Sequence, residues 1–203
     1  MIDRLSRVSG VNVPRETFEE LEAFAALISD EARNQNLVAA STIVDLWERH
    51  LFDSAQLIRL GRAGNWVDIG SGAGLPGVVI ALITGASVTL VEPRRLRAEF
   101  LCKVKSLLEL DDVTVVQAKS ASIGGKFDNI TARAVAPSSE LLAITIHLSH
   151  SKTMWVLPKG RSAQKELDDV RAAWQGEIRL EPSLTDPQAS ILLATRIRPR
   201  GTR

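Results

Sequence analysis

Apolar positions along this chain change their spacing once, near residue 65. Before that point Phe18, Leu21, Phe24, Leu27 and Ile28 recur at three- and four-residue steps, with Glu16, Glu19, Glu20 and Glu22 largely between them. That spacing predicts an amphipathic helix, with Pro14 in its first turn. Asn34-Gln35-Asn36 interrupts it, and a second helix is predicted over 42–60, with Ile43, Leu46, Trp47, Leu51 and Leu57 apolar. After Asn65 short β-branched runs alternate with longer helical patterns. Strands are predicted at 67–69, 87–92, 113–117, 127–132 and 153–157, and helices from Leu75 onward and over 94–110, 138–148 and 163–174. Two further strands, 177–180 and 190–197, close the chain with no long helix between them. Alternating strands and helices imply right-handed crossovers and a mainly parallel sheet, here with an antiparallel finish. The expected organisation is an N-terminal helical extension, residues 1–62, packed on a main α/β domain, residues 63–203.

Composition narrows this little. With 45% hydrophobic and 24% charged residues the chain reads as an ordinary soluble globular protein able to bury a core. The formal net charge of +1 excludes a protein that is basic in bulk, so any nucleic-acid contact needs local patches. Arg196, Arg198, Arg200 and Arg203 form one candidate patch and Arg94, Arg95 and Arg97 another; a solvated face is the ordinary alternative for each. Cys102 is the only cysteine, which forbids an internal disulfide and fits a reducing compartment. Its apolar neighbours Phe100, Leu101 and Val104 place it in the core. No apolar run approaches the roughly 20 residues of a membrane span, and the N-terminus has no signal-peptide pattern; a cytoplasmic monomer without membrane or metal partners is expected.

The candidate chemistry lies in Asn65-Trp-Val-Asp-Ile-Gly-Ser-Gly-Ala-Gly-Leu-Pro-Gly77. A strand ends in Asp68 and breaks into Gly70, Gly72 and Gly74 before an apolar helix. Glycines at alternate positions let the backbone turn sharply and let a ligand lie on bare main chain, while the helix directs its unpaired N–H groups there. Gly72-Ala-Gly74-Leu-Pro-Gly77 formally fits the dinucleotide pattern G-x-G-x-x-G. Glu92, ending the second strand, can accept hydrogen bonds from both hydroxyls of a ribose, a device that dinucleotide enzymes share. The acid two residues before Gly-x-Gly-x-Gly resembles instead the first motif of S-adenosylmethionine-dependent methyltransferases, and the two closing strands suit their seven-stranded sheet. The chain has no tyrosine, which argues against a Tyr-x-x-x-Lys oxidoreductase and against Asn-Pro-Pro-Tyr methyltransferases. Cys102 lacks the Pro-Cys context of cytosine-C5 enzymes. A nicotinamide oxidoreductase and a non-catalytic RNA- or nucleotide-binding protein are the competing classes; stabilisation by S-adenosylhomocysteine or by NAD separates the first from a methyltransferase.

Several segments together resemble one family, the bacterial 16S rRNA guanine-N7 methyltransferases known as RsmG or GidB. They are Asp68 to Gly77 with its Leu-Pro-Gly ending, Asn36-Leu37, Arg49-His50-Leu-Phe-Asp53-Ser54, Phe127-Asp128, Ala132-Arg133-Ala134 and Pro158-Lys159-Gly160. The resemblance implies a Rossmann-like class I methyltransferase fold with S-adenosylmethionine as cofactor and S-adenosylhomocysteine as product. It implies a methyl acceptor in 16S rRNA or the small ribosomal subunit, N7 of the guanine at position 527. Asp68 would orient the glycine loop, Gly70, Gly72, Gly74 and Leu75 would touch the cofactor, and Glu92 would hold its ribose. Ser120 and Ala121 would pack around adenine, and Arg133 would sit at the cofactor site. Ala121 and Ser122 replace acidic residues common in the family, so only backbone contacts to adenine carry over there; the late Glu-Arg pair is missing near Ala189-Ser190.

Guanine N7 carries an exposed lone pair, so in-line displacement at a sulfonium methyl needs no general base, only positioning and electrostatics. Arg133, His50, Asp53 and Lys159 are the candidate catalytic residues. Each has an ordinary structural alternative: for Arg133 an ion pair with Asp128 or another acid, for His50 and Asp53, three apart on one helix face, a helix-capping or interhelical hydrogen bond, and for Lys159 a solvated position before a turn glycine in place of contact with an RNA phosphate. Trp47 and Trp155 read as core.

Overall fold

The computed structural model describes residues 1–39 and 44–201. Seven strands form one sheet in the order β3-β2-β1-β4-β5-β7-β6. They are β1 (Trp66–Ile69), β2 (Val88–Val91), β3 (Val113–Val116), β4 (Asn129–Ala132), β5 (Met154–Lys159), β6 (Trp174–Pro182) and β7 (Ser190–Pro199). Strands β1 to β5 pair parallel and β7 antiparallel to both β5 and β6. The central strands β1 and β4 are buried along their whole length, as helix-covered parallel strands must be.

Successive side chains point to opposite faces, and the core divides accordingly. Trp66, Val88, Leu90, Met154, Val156, Ile191 and Leu193 belong to one apolar layer, Val67, Val91, Ile130, Trp155, Leu157, Leu192 and Ala194 to the other. The first layer is completed by α1 (Ile2–Ser9), α2 (Arg15–Glu31), α4 (Gly77–Thr84) and α5 (Arg95–Leu107), which contribute Leu5, Phe24, Ile80 and Leu101. The second is completed by α6 (Ser138–Thr145) and α7 (Ala163–Ala173), through Leu141, Leu142, Leu167 and Val170. Trp155 is core, its indole N–H donating to Thr145 Oγ1 at 3.0 Å, and the half-buried Trp47 stacks on Phe18.

Several elements differ from the sequence expectation. The second N-terminal helix is not one α-helix. A π-helical turn over Trp47–Phe52 runs into α3 (Asp53–Ala55) and a 3-10 turn at Ile58–Leu60; Thr42 and Ile43 lie outside the described residues. Apolar spacing cannot distinguish i→i+5 from i→i+4 bonding over one turn. Helix α1 was not anticipated; its eight residues bury only Leu5, Val8 and Ser9, too little for a periodic signal. Pro14 precedes α2 instead of sitting inside it. The helix expected from Leu75 starts at Gly77, after a cis Leu75-Pro76 peptide. Strand β6 starts at Trp174, where α7 was expected to end. Cys102 is exposed. Helix α5 buries Ala98, Leu101 and Val104, and one residue past Leu101 rotates the side chain about 100° away from that stripe.

Strand order turns back at β1, with β2 on one side and β4 on the other. In parallel α/β sheets a crevice opens at such a switch point, beyond the carboxyl ends of the strands. Glycines 70–77 follow β1 there, Glu92 follows β2 and Arg133 follows β4.

Candidate active site

The glycine turn is held from below by one acid and from the side by another. Asp68 points into the first core layer, fully buried, and its Oδ2 accepts the Gly77 N–H at 3.0 Å, at the start of α4. A Cβ on Gly77 would stand 2.3 Å from Leu90 Cδ2 and 2.9 Å from Asp68 Oδ2, so the helix reaches the strand only because residue 77 has no side chain. This gives the Leu-Pro-Gly ending its physical sense. Burial pushes the Asp68 carboxyl up to about 7, against the pull of the Gly77 N–H and of Arg133. Its Oδ1 is buried with no hydrogen-bond partner among the described residues, an arrangement that costs least when the carboxyl is neutral.

Glu92, 3% exposed, braces the turn laterally. Its Oε2 accepts the Gly72 N–H at 3.0 Å and its Oε1 the Arg94 N–H at 2.8 Å. Each oxygen keeps acceptor capacity toward the cavity beside it. The glycines then divide by what they face. A Cβ on Gly72 would meet nothing closer than 3.7 Å, so this residue borders open space. A Cβ on Gly70 would strike Val135 Cγ2 at 2.5 Å, and one on Gly74 would strike Val78 Cγ2 at 2.7 Å. All three have positive φ, the region glycine alone enters freely.

Two cavities meet above the strand ends. The larger, about 780 Å³, is lined by Gly70, Gly72, Leu75, Glu92, Ser120, Ala121, Arg133 and His50, with Leu37, Val38, Arg97 and Val135 completing its wall. Its size is that of a small-molecule site. Asp68 and Gly74 do not line it: the acid sits beneath the turn and Gly74 packs on α4, α5 and α2. The second cavity, about 560 Å³, is lined by Asp53, Lys159, Glu166, Arg49, Thr185 and Asp186 among others, and shares Arg133, Ala134 and Val135 with the first.

Arg133 thus stands at the junction. Its expected alternative, an ion pair with Asp128, is not made; Asp128 instead contacts His150 at 3.2 Å and accepts the Asn65 N–H. Arg133 Nη1 lies 2.8 Å from His50 Nδ1. A guanidinium only donates, so Nδ1 must be the acceptor and the imidazole proton sits on Nε2. Burial, then the charges of Arg133 and Arg49, push His50 down to about 4, so the ring is neutral near pH 7. Arg133 is half-buried; desolvation lowers its pKa, and the charges of Asp53 and Asp68 oppose that shift. His50 and Asp53, three apart on one helix face, are engaged separately, His50 by Arg133 and Asp53 by Gln56 and Thr185.

Asp53 Oδ1 accepts from Gln56 Nε2 at 2.7 Å and from Thr185 Oγ1 at 2.9 Å. Burial raises its pKa; the Thr185 hydroxyl opposes this most. Gln56, 1% exposed, also donates to Ser183 and Thr185 and accepts the Leu184 N–H, fastening the β6–β7 loop to the N-terminal segment. Lys159 is not a solvated lysine, its side chain being 8% exposed. Its ammonium is buried against Glu166 Oε2 at 2.9 Å, and that carboxylate also accepts the Ser138 N–H and hydroxyl at the start of α6. Gln56, Glu166 and Val135 carry no mark in the sequence, and Arg97 stands there only as part of a basic patch. The contacts that bring them to the site are remote in sequence: Gln56 meets Ser183 and Thr185, Glu166 meets Ser138, and Arg97 meets the Asn36 carbonyl.

The arginine patches fare differently. Arg95 pairs with Glu99 and Arg97 donates to the Asn36 carbonyl, but Arg94 is exposed at the cavity mouth. At the C-terminus Arg196 pairs with Glu177 and Arg198 and Arg200 bond to Gln175 and the Trp174 carbonyl; Arg203 lies outside the described residues. Among the described residues no helix is long and apolar enough to cross a membrane, and no group of His, Cys, Asp or Glu is arranged to hold a metal.

The family model described as rRNA small subunit methyltransferase G matches residues 17–186. A ribosomal RNA small subunit methyltransferase G from Zymomonas mobilis subsp. mobilis is 44% identical, with 94% of this chain and 90% of that protein covered. The protein of the same name from Rhizorhabdus wittichii is 47% identical, over 93% of this chain and 90% of its own length. Among solved structures, a SAM dependent methyltransferase from Aquifex aeolicus superposes with a TM-score of 0.60 at 12% identity, covering 75% of this chain and 93% of that one. M. jannaschii TYW2 in complex with AdoMet superposes with a TM-score of 0.55, again at 12% identity, covering 74% of this chain and 76% of that one. The fold is that of the Rossmann-like class I methyltransferases.

Proposed function

Because the chain belongs to the rRNA small subunit methyltransferase G family, we propose that it methylates N7 of a 16S rRNA guanine, position 527, with S-adenosylmethionine as donor. The observation that carries the reading is the pair of cavities joined at Arg133. The larger would hold the cofactor and the smaller the acceptor base, with Arg133, Ala134 and Val135 common to both walls. The residues present fit that cofactor. Glu92 offers carboxylate oxygens already fixed by two backbone N–H groups, Gly72 leaves the floor bare, and Ser120 and Ala121 supply the backbone wall expected around adenine. When bound, S-adenosylmethionine supplies an electrophilic methyl carbon on a sulfonium.

The chain's own contribution is positioning. Guanine N7 needs no deprotonation, and the one imidazole at the junction is neutral, with Nδ1 engaged by Arg133. Arg133, half-buried and oriented by His50, can meet guanine O6 without a rotamer search. A base brought into the smaller cavity must be splayed out of its helix, because N7 is inaccessible in a deep A-form major groove. Exposed Arg49, at the edge of that cavity, is placed to meet the flanking backbone.

Deleting the gene and cleaving 16S rRNA with borohydride and aniline tests the assignment. The strand break at the 7-methylguanosine should vanish in the deletion strain and return on complementation with the wild-type chain. Unchanged cleavage without the gene would overturn the reading.

A further inference from the structure

Four acids line the smaller cavity: Glu48, Asp53, Glu166 and Asp186. Three are engaged by cations. Glu48 pairs with Arg4, Asp186 faces Arg49 at 3.9 Å, and Glu166 holds Lys159 at 2.9 Å. Asp53 makes no ion pair among the described residues. Its Oδ1 is fixed by the Gln56 amide and the Thr185 hydroxyl, at 2.7 and 2.9 Å, so the plane of the carboxylate is set from the protein side. Oδ2 carries no hydrogen bond among the described residues. The site therefore contains one oriented acceptor, held by neutral donors, with a face toward the cavity.

We propose that Asp53 reads the Watson–Crick edge of the target guanine, its Oδ2 accepting from N1–H and the exocyclic N2 amine. The proposal rests on the acceptor being guanine methylated at N7. Guanine presents two adjacent donors on that edge, whereas adenine presents a lone pair at N1, which an anion repels. The Hoogsteen edge, with N7 and O6, remains turned toward Arg133 and the larger cavity. Catalysis follows from the same contact. As the N7 lone pair forms its bond to the methyl carbon, the C–S bond breaks and sulfur keeps the electron pair. The purine gains the positive charge that sulfur loses, and no proton leaves. N1–H and the N2 amine become stronger donors during that step, so their bonds to Asp53 tighten in the transition state more than in the bound substrate.

The test uses small subunits reconstituted with 16S rRNA bearing guanosine or inosine at the target position. Inosine keeps N7, O6 and N1–H and lacks only the N2 amine. Methyl transfer by the wild-type enzyme should favour guanosine by about ten-fold or more, the value of one hydrogen bond to a charged group. Asp53→Asn keeps an oxygen for Gln56 and Thr185 but offers an amide donor to the amine. It should lower kcat/KM on guanosine by about ten- to hundred-fold and reduce the guanosine-to-inosine ratio to about two or less. Thr185→Val, which removes one bond orienting the carboxylate, should move the ratio the same way by a smaller factor. S-adenosylhomocysteine affinity, measured by calorimetry, should be unchanged in Asp53→Asn, since Asp53 does not line the larger cavity. A wild-type enzyme that methylates neither RNA sinks the methyltransferase reading itself. An active wild type with no guanosine preference, or variants that slow while keeping the wild-type ratio, overturns the role of Asp53 alone.

Discussion

Asp68 shows how a single buried carboxyl couples the glycine turn to pH. Held at about 7 by burial, it keeps its proton in the native state where an unfolded carboxyl, near pH 4, has lost it. Folding therefore takes up a proton between those values. The stabilisation is complete below about pH 4 and is lost as pH rises to about 7, by at most about 1.4 kcal/mol per unit. His50 acts in the opposite sense. Pushed down to about 4, it stays neutral in the native state, and stability falls as pH drops from 6.5 toward that value. Both proteins of an Asp68→Asn pair carry His50, so its contribution cancels from their difference. The unfolding free energy of Asp68→Asn minus that of the wild type should rise steadily from pH 4.5 to pH 7 and level off above, in urea titrations at each pH. A difference independent of pH would mean that native Asp68 ionises like a solvated acid. Glu92 permits a simpler test. Ala at this position removes the ribose acceptor and frees two backbone N–H groups, and should weaken S-adenosylhomocysteine binding by about 1.5–3 kcal/mol in calorimetry.

At the scale of elements, the β1–α4 turn separates two uses of glycine that a motif treats alike. Gly72→Ala places its Cβ where nothing lies within 3.7 Å, at φ 56°, so it costs about 1–2 kcal/mol of backbone strain and intrudes on the ligand's side. Gly74→Ala drives a Cβ to 2.7 Å from Val78 and 3.2 Å from Leu101 and Phe24, adding about 1–3 kcal/mol of overpacking. Denaturant melts and calorimetry should therefore cross over: Gly74→Ala less stable with near-normal S-adenosylhomocysteine affinity once folded, Gly72→Ala more stable with affinity reduced at least about ten-fold. The same turn marks how far the fold is legible in the sequence. Strand–helix alternation was legible because β1 to β5 are short β-branched runs and because α2 and α5 bury one stripe each. Asp68, Glu92 and the glycines were legible because their partners are within about 20 positions and the geometry is local. Arg133 and His50 stood out as candidates, but not as partners, since the contact joins residues 83 apart. The π-helical turn escaped because one extra residue per turn leaves no trace in apolar spacing, and Cys102 because apolar neighbours do not fix a helical phase.

Across the whole molecule, the acceptor side of the site is assembled from the two ends of the chain. The N-terminal segment supplies Asp53 and Gln56, the β6–β7 loop supplies Ser183 and Thr185, and the strand end supplies Arg133, which the larger cavity shares. Gln56 is the joint. Its amide reaches Asp53, Ser183 and Thr185, and its carbonyl accepts the Leu184 N–H at 2.8 Å, all with 1% of the residue exposed. None of these atoms borders the larger cavity. On the proposed reading, cofactor and RNA would then be held by parts of the fold that meet at Arg133, Ala134 and Val135. Gln56→Leu keeps the volume and removes every one of these bonds, leaving a buried N–H and the Asp53 carboxylate less well satisfied; it should cost about 1–3 kcal/mol of stability. Released at Gln56, the β6–β7 loop no longer fixes Thr185 against Asp53, so KM for the RNA should rise several-fold and the guanosine preference should weaken. S-adenosylhomocysteine affinity should stay at the wild-type value, because Glu92 and the glycine turn answer to β1, β2 and α4. Steady-state kinetics on small subunits together with cofactor calorimetry read both sides. Equal losses on the two sides would show that the N-terminal segment supports the fold as a whole and not the acceptor cavity in particular.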